Sequence, residues 1–291
     1  MPKTQPPNRW PARHLDRFRG CIAALVLLHC VDLGAAGLAA LPCALVPAQG
    51  PAAATPILVL IIDDIGHRLD TGRAATRLPG RVNLAVLPFT PHAAELAEAG
   101  FASGKEIMLH APMHSQGGTG NAEQGMLTKE LSEQAFRELL ERQLGEVPHV
   151  KGVNNHMGSE LTRQSASMAW LMTVLNERGL YFVDSRTTAE TVAAQSAREA
   201  GVPHLSRRVF LDNDPNEAAI EERFEYAIAE ARRMGVAVAI GHPYPETMAF
   251  LERALPTLAE RSIRLAWVSE QADLNGAGYP APIADIDGPG Q

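Results

Sequence analysis

From residue 57 onward, short apolar runs rich in β-branched side chains alternate with longer amphipathic stretches. The runs at 57–63, 82–87, 106–110, 150–155, 180–184, 204–206, 236–241 and 263–267 predict strands. The stretches at 132–144, 164–177, 216–234 and 246–260 carry helical periodicity. Thr90-Pro91 and Asp214-Pro215 each place a capping side chain ahead of a proline suited to a first helical turn. Strands that are apolar almost throughout need cover on both faces, which predicts a mostly parallel sheet within a layer of helices. Seven or eight β/α units between 56 and 272 are short for an ordinary eight-fold barrel and long for a five-stranded open sheet, so a compact or incomplete barrel is expected. No internal repeat is present.

The remainder of the chain does not share this pattern. Basic residues through Arg19 precede the apolar run 21–31, a small-residue stretch, and Pro/Ala-rich sequence up to Pro56. That is the order of a secretory signal, with a small-residue cleavage position near Val46-Pro47-Ala48. The competing reading is an uncleaved membrane anchor, against which Asp32, Gly34, Gly37, Pro42 and Pro47 argue. Residues 1–55 are therefore read as signal or anchor plus linker, 56–272 as the folded body of an exported, periplasmic or envelope protein, and 273–291 as a disordered Gly/Pro/Asp-rich tail.

Charge and cysteine usage narrow the chemistry. Five of 26 basic and two of 33 acidic residues precede Thr55, which leaves 21 basic against 31 acidic beyond it, a net of −10. A body that acidic repels phosphate backbones and makes nucleic acid an unsuitable partner. Cys21, Cys30 and Cys43 all lie in the amino-terminal segment, so the body has no disulfide, no cysteine-ligated zinc and no cysteine nucleophile.

The polar residues that punctuate the strands are the candidate chemistry. Asp63 and Asp64 end the first strand, His110 the third, Asn154, Asn155 and His156 the fourth, Asp184 the fifth and His242 the seventh. All are carboxyl ends, which in a parallel barrel form the rim where active sites are built. Adjacent strand residues point to opposite faces, so one of the two aspartates faces a cation and the other a water or the next helix. Pro112 forbids reading His110-Ala-Pro-Met-His114 as a helical metal pair. Asp64, His110 and His156, from three strands, are the ligand types of a catalytic zinc site, with His114 as a fourth candidate.

Other matches are weaker. Gly117, Gly118 and Gly120 neither follow a strand directly nor open a helix, as a nucleotide loop would. Asp212-Asn213-Asp214 begins like a calcium loop, but Pro215 and the missing glycine argue against it, and helix capping accounts for Asp214. There is no G-x-S-x-G elbow of a serine hydrolase.

The ordered set IIDDIG, HAPMH, GVNNHMGS, VDS and IGHP resembles the divergent polysaccharide deacetylases, over about 56–272. The resemblance implies a distorted (β/α)7 barrel and removal of N-acetyl groups from chitin-like or peptidoglycan sugars. It implies a general base at Asp63, metal ligands at Asp64, His110 and His114, and a general acid at His242. Ile61-Ile62 replaces the usual threonine-phenylalanine before the aspartates, and Asn154, Asn155 and His156 replace the usual arginine-proline motif.

Three readings follow. The first is a divalent-metal hydrolase, zinc being the expected ion, acting on an acylated envelope carbohydrate. In it Asp63 is the base, His242 the acid, Asp184 an orienting residue, and Asn154 and Asn155 line the substrate. The second is a non-catalytic envelope protein of the same fold that binds glycan or a protein partner. The third, a metal-free glycosidase using Asp63 and Asp184, leaves the histidines unexplained.

Overall fold

The computed structural model describes residues 54–117 and 125–272. Residues 1–53 of the segment expected to direct export, the glycines Gly118 and Gly120, and the tail expected from 273 lie outside the described residues. The described residues form nine strands: β1 (Ile57–Ile65), β2 (Val82–Val86), β3 (Glu106–Met113), β4 (Val150–Met157), β5 (Tyr181–Asp184), β6 (His204–Ser206), β7 (Val209–Phe210), β8 (Val236–Gly241) and β9 (Arg264–Leu265). Eight helices alternate with them: α1 (Leu69–Arg77), α2 (Ala93–Ala102), α3 (Glu133–Glu146), α4 (Ser165–Arg178), α5 (Ala193–Glu199), α6 (Glu217–Met234), α7 (Pro245–Ala254) and α8 (Val268–Ala272). All strand pairings are parallel, in the order β6-β5-β4-β3-β2-β1-β8-β7, with β9 beside the start of β1.

The two edges of this sheet are one continuous piece of chain. The Arg207 N–H bonds Asp184 O of β5, and the next N–H, that of Arg208, bonds Val238 O of β8. β6 and β7 are thus halves of one kinked strand shared between the edges, which makes the distorted seven-stranded barrel. Both arginines at this seam are nearly buried. Arg207 donates to the carbonyls of Ser185 and Arg186, and Arg208 pairs with Glu230 at 3.1 Å. Two consecutive arginines read in sequence as the end of a strand, which is why β7 was not expected.

Alternation along the strands explains the two apolar sets. Leu58, Leu60 and Ile62 of β1 pack outward against the helices, while Val59 and Ile61 join Ala85, Met108, Val183, Leu205, Val238 and Ile240 inside the barrel. Each of the larger of these fully buried side chains, Ala85 aside, stabilises the fold by about 1.5–3 kcal/mol. Ala266, Val268 and Ala272 close the bottom of the interior. Buried Asn83 ties that plug to the sheet, donating to Leu60 O and accepting from Val268 N.

Two caps fall elsewhere than expected. Thr90 donates to Leu87 O in a turn, and α2 starts only after His92. Asp214 accepts from Asn216 N, and it is Asn216 that caps α6, accepting from Ala218 N at 3.0 Å. In both cases the proline lies in the turn before the helix.

Candidate functional site

β1 delivers two carboxylates to the same point by breaking its own alternation. Asp63 continues the inward face of Val59 and Ile61; Asp64 should point outward. Its φ of +55° puts it in the left-handed region, and the β1–β2 register shifts between Ile62 and Ile65. Aspartate is among the few residues that tolerate this conformation, and such strain gathers at functional sites. The turn is completed by Gly66, φ +138°, where a Cβ would lie 2.0 Å from Thr90 Oγ1. Asp64 thereby swings back over the barrel mouth, with Oδ1 3.2 Å from His110 Nε2 and 3.0 Å from His156 Nδ1.

The hydrogen-bond chain beneath this cluster fixes which lone pairs face it. Asn154 Nδ2 donates to Asp63 Oδ1 at 2.8 Å, so its Oδ1 is the atom 2.8 Å from His110 Nδ1. An amide oxygen only accepts, so His110 carries its proton on Nδ1 and turns the Nε2 lone pair to Asp64 Oδ1 and to His156 Nδ1, 3.0 Å away. Asp64 Oδ1 is itself buried without a hydrogen-bond partner. Asp64, His110 and His156 each present a ligand atom within 4.8 Å of the others. One carboxylate and two imidazoles that crowd lone pairs together, with the Asn154 amide holding the His110 ring from behind, fit a divalent cation. The Asp64 side chain is 31% exposed, which leaves the centre open on one side.

On the other side stands His242, its Nε2 4.0 Å from Asp64 Oδ2. Asp212 Oδ1 accepts from its Nδ1 at 2.8 Å, and Asp212 Oδ2 accepts the His242 backbone N–H at 2.6 Å and the Thr247 hydroxyl at 2.8 Å. Burial opposes charging His242, but the bond to Asp212 and the charges of Asp212, Asp64 and Asp63 outweigh it and raise the pKa to about 9. Burial pushes the Asp63 carboxyl up, against the opposing pull of His110, His242 and the Asn154 N–H.

Several expected site residues lie elsewhere. Asp184 is the last residue of β5 and, one step after inward Val183, faces outward, where it accepts from Arg186 N and the Thr191 hydroxyl. The carboxylate that orients His242 is Asp212, which in the sequence stood out only as the first residue of a run resembling a calcium loop. Asn154 and Asn155 are both buried and do not line a substrate surface: Asn154 joins Asp63 to His110, and Asn155 bonds Met157 O and Ser185 N. His114 is not one of the converging donors. His114 stands one residue past the end of β3, which runs to Met113. His156 joins Asp64 and His110 instead, from β4, where it pairs in register with Pro112.

The profile of a family described as divergent polysaccharide deacetylase matches residues 60–272. The chain belongs to that family. Its relatives include the uncharacterized protein YibQ of Escherichia coli K12, 37% identical over 201 residues, which cover 69% of this chain and 63% of that protein. An uncharacterized protein of Haemophilus influenzae Rd is 36% identical over 203 residues, covering 70% of this chain and 72% of its own. The chain thus spans less than two thirds of the E. coli relative's length. The crystal structure of uncharacterized protein ATU2773 from Agrobacterium tumefaciens C58 shares the fold, with a TM-score of 0.73 at 22% identity over 76% of this chain and 91% of that one.

Proposed function

We propose that this member of the family is a metal-dependent hydrolase that removes acyl groups, N-acetyl above all, from a carbohydrate of the cell envelope. The observation that carries the proposal is the convergence of Asp64, His110 and His156 between an acid–base pair, Asp63 on one side and Asp212-held His242 on the other. The three ligands are of the kind that holds zinc in hydrolases, and such an ion supplies Lewis acidity toward the acyl carbonyl and its attacking water. Asp63, fixed by Asn154, accepts a proton from that water. His242, which carries its proton at neutral pH, donates it to the leaving nitrogen. The water oxygen ends on the acyl carbon, the C–N bond breaks, and a carboxylate and a free amine leave.

Export through residues 1–55 belongs to the same proposal, since it places a chain with an acidic body, unsuited to nucleic acid, beside envelope glycans, in soluble or membrane-attached form. The test is elemental analysis of the purified protein together with acetate and amine release from N-acetylated glycans. Stoichiometric metal with release of both products is expected. Full metal occupancy with no release from any acetylated glycan would instead make the protein a glycan-binding relative of the enzymes.

A further inference from the structure

Among the described residues, only Phe101 and Tyr244 are large hydrophobic side chains left exposed. One face of Phe101 is already used, stacked on His149 at 3.8 Å. Tyr244 stands at the barrel rim, 37% exposed, its ring centroid 5.6 Å from that of His242. The other aromatic neighbour of His242, Phe210 at 6.0 Å, is covered by the Arg207 guanidinium at 3.8 Å. The Tyr244 ring is the one beside the general acid that remains open.

Its position is set rigidly by the local sequence. Tyr244 lies between Pro243 and Pro245, in the extended conformation a following proline imposes (φ −72°, ψ 144°), and its N–H bonds His242 O at 2.8 Å. α7 starts at the next residue and anchors this turn. Its hydroxyl makes no hydrogen bond among the described residues. An exposed aromatic ring held this firmly, with an unused hydroxyl, loses little freedom when it meets a ligand.

We propose that Tyr244 is the platform on which the substrate's sugar ring packs, with the acyl group directed away from it into the metal centre. The inference rests on the deacylase reading and follows from where the proton goes. His242 donates to the leaving nitrogen, and that nitrogen is bonded directly to a carbon of the pyranose. The sugar must therefore lie beside His242, and the open surface beside His242 is the Tyr244 ring. A pyranose offers an apolar face of axial C–H groups and a rim of hydroxyls, which match an aromatic face that carries a free hydroxyl. Tyr244 would then select for a cyclic, carbohydrate leaving group over a simple alkyl amine.

The experiment uses the full chain loaded with zinc and a β-1,4-linked trimer of N-acetylglucosamine. Equilibrium binding is measured calorimetrically in the Asp63→Asn background, and steady-state deacylation in the otherwise unaltered protein. Tyr244→Ala should weaken binding by about tenfold or more, as expected for loss of a stacked aromatic. It should raise KM by a similar factor and change kcat by less than about threefold. Tyr244→Phe keeps the ring and should stay within about threefold of the unaltered protein in both measurements. Unchanged trimer affinity in Tyr244→Ala would overturn the proposal, as would a fall in kcat at constant KM, which would mean that Tyr244 acts through His242. The calorimetric arm needs no turnover, so failure of this inference is separable from failure of the deacylase reading.

Discussion

Asn154 binds Asp63 with its amide nitrogen and His110 with its amide oxygen, both at 2.8 Å. One side chain therefore orients the proposed base and sets the tautomer of a proposed metal ligand. Hydrogen-bond partners that hold a ligating imidazole in this way typically contribute about 10- to 100-fold in metal affinity. Asn154→Ala should accordingly weaken zinc binding by roughly that factor, measured by competition with a chromophoric chelator. Affinity equal to that of the unaltered protein would mean that His110 does not depend on this bond.

His156 and His114 make opposite predictions for the metal. Binding to the folded state alone stabilises it, so a chelator should lower the Tm of the unaltered protein. Asp64→Ala, His110→Ala and His156→Ala should each abolish that response. His114→Ala should keep it, since His114 stands past the end of β3. A chelator response that vanished in His114→Ala and survived in His156→Ala would restore the ligand set that the family resemblance implies.

The Asp212–His242 pair gives stability a defined pH dependence. A histidine raised from about 6.5 in the unfolded chain to about 9 in the folded one contributes its full stabilisation below the lower value. That contribution is lost as pH rises through the upper one. Between these limits the folded state holds one more proton, so unfolding free energy should fall by at most about 1.4 kcal/mol per pH unit. Urea unfolding of chelator-treated protein between pH 6.5 and 9 measures the slope. Asp212→Asn should flatten it, because the hydrogen bond to the Asp212 carboxylate and its charge lead what raises His242 against burial. Equal slopes in the two proteins would show that His242 does not titrate in this window.

The rim was legible because apolar strands end abruptly in polar residues: Asp63, His110, His156 and His242 each follow an inward-facing run on its own parity. The same counting would have set Asp184 aside, since it follows inward Val183 by one residue, and Asn155 likewise follows inward Asn154. Asp64 defeats the count because its left-handed φ turns it back onto the inward side, which no pattern of hydrophobicity records. Asp212 was hidden for another reason. It follows a two-residue strand that Arg207 and Arg208 set apart from β6, and the buried hydrogen bonds and ion pair of these arginines arise only when the barrel closes.

Asp63 and His242 decide whether the protein turns over substrate or only binds it. Neither belongs to the three-ligand group, so Asp63→Asn and His242→Ala should retain zinc and the Tm increase it brings. Asn at position 63 still accepts from Asn154 through its amide oxygen, which limits structural disturbance. Loss of a general acid or base typically slows turnover by about 10²- to 10⁴-fold with ground-state binding largely intact. Acetate release should fall by that range in each variant, while affinity for the N-acetylglucosamine trimer stays within a few fold. The base and the acid serve the same acyl transfer as a unit, so the double variant should be much less impaired than the product of the single effects. Release that survived both substitutions would remove Asp63 and His242 from the mechanism. It would leave the Asp64 carboxylate, beside the ion position and partly open to solvent, as the next group to test.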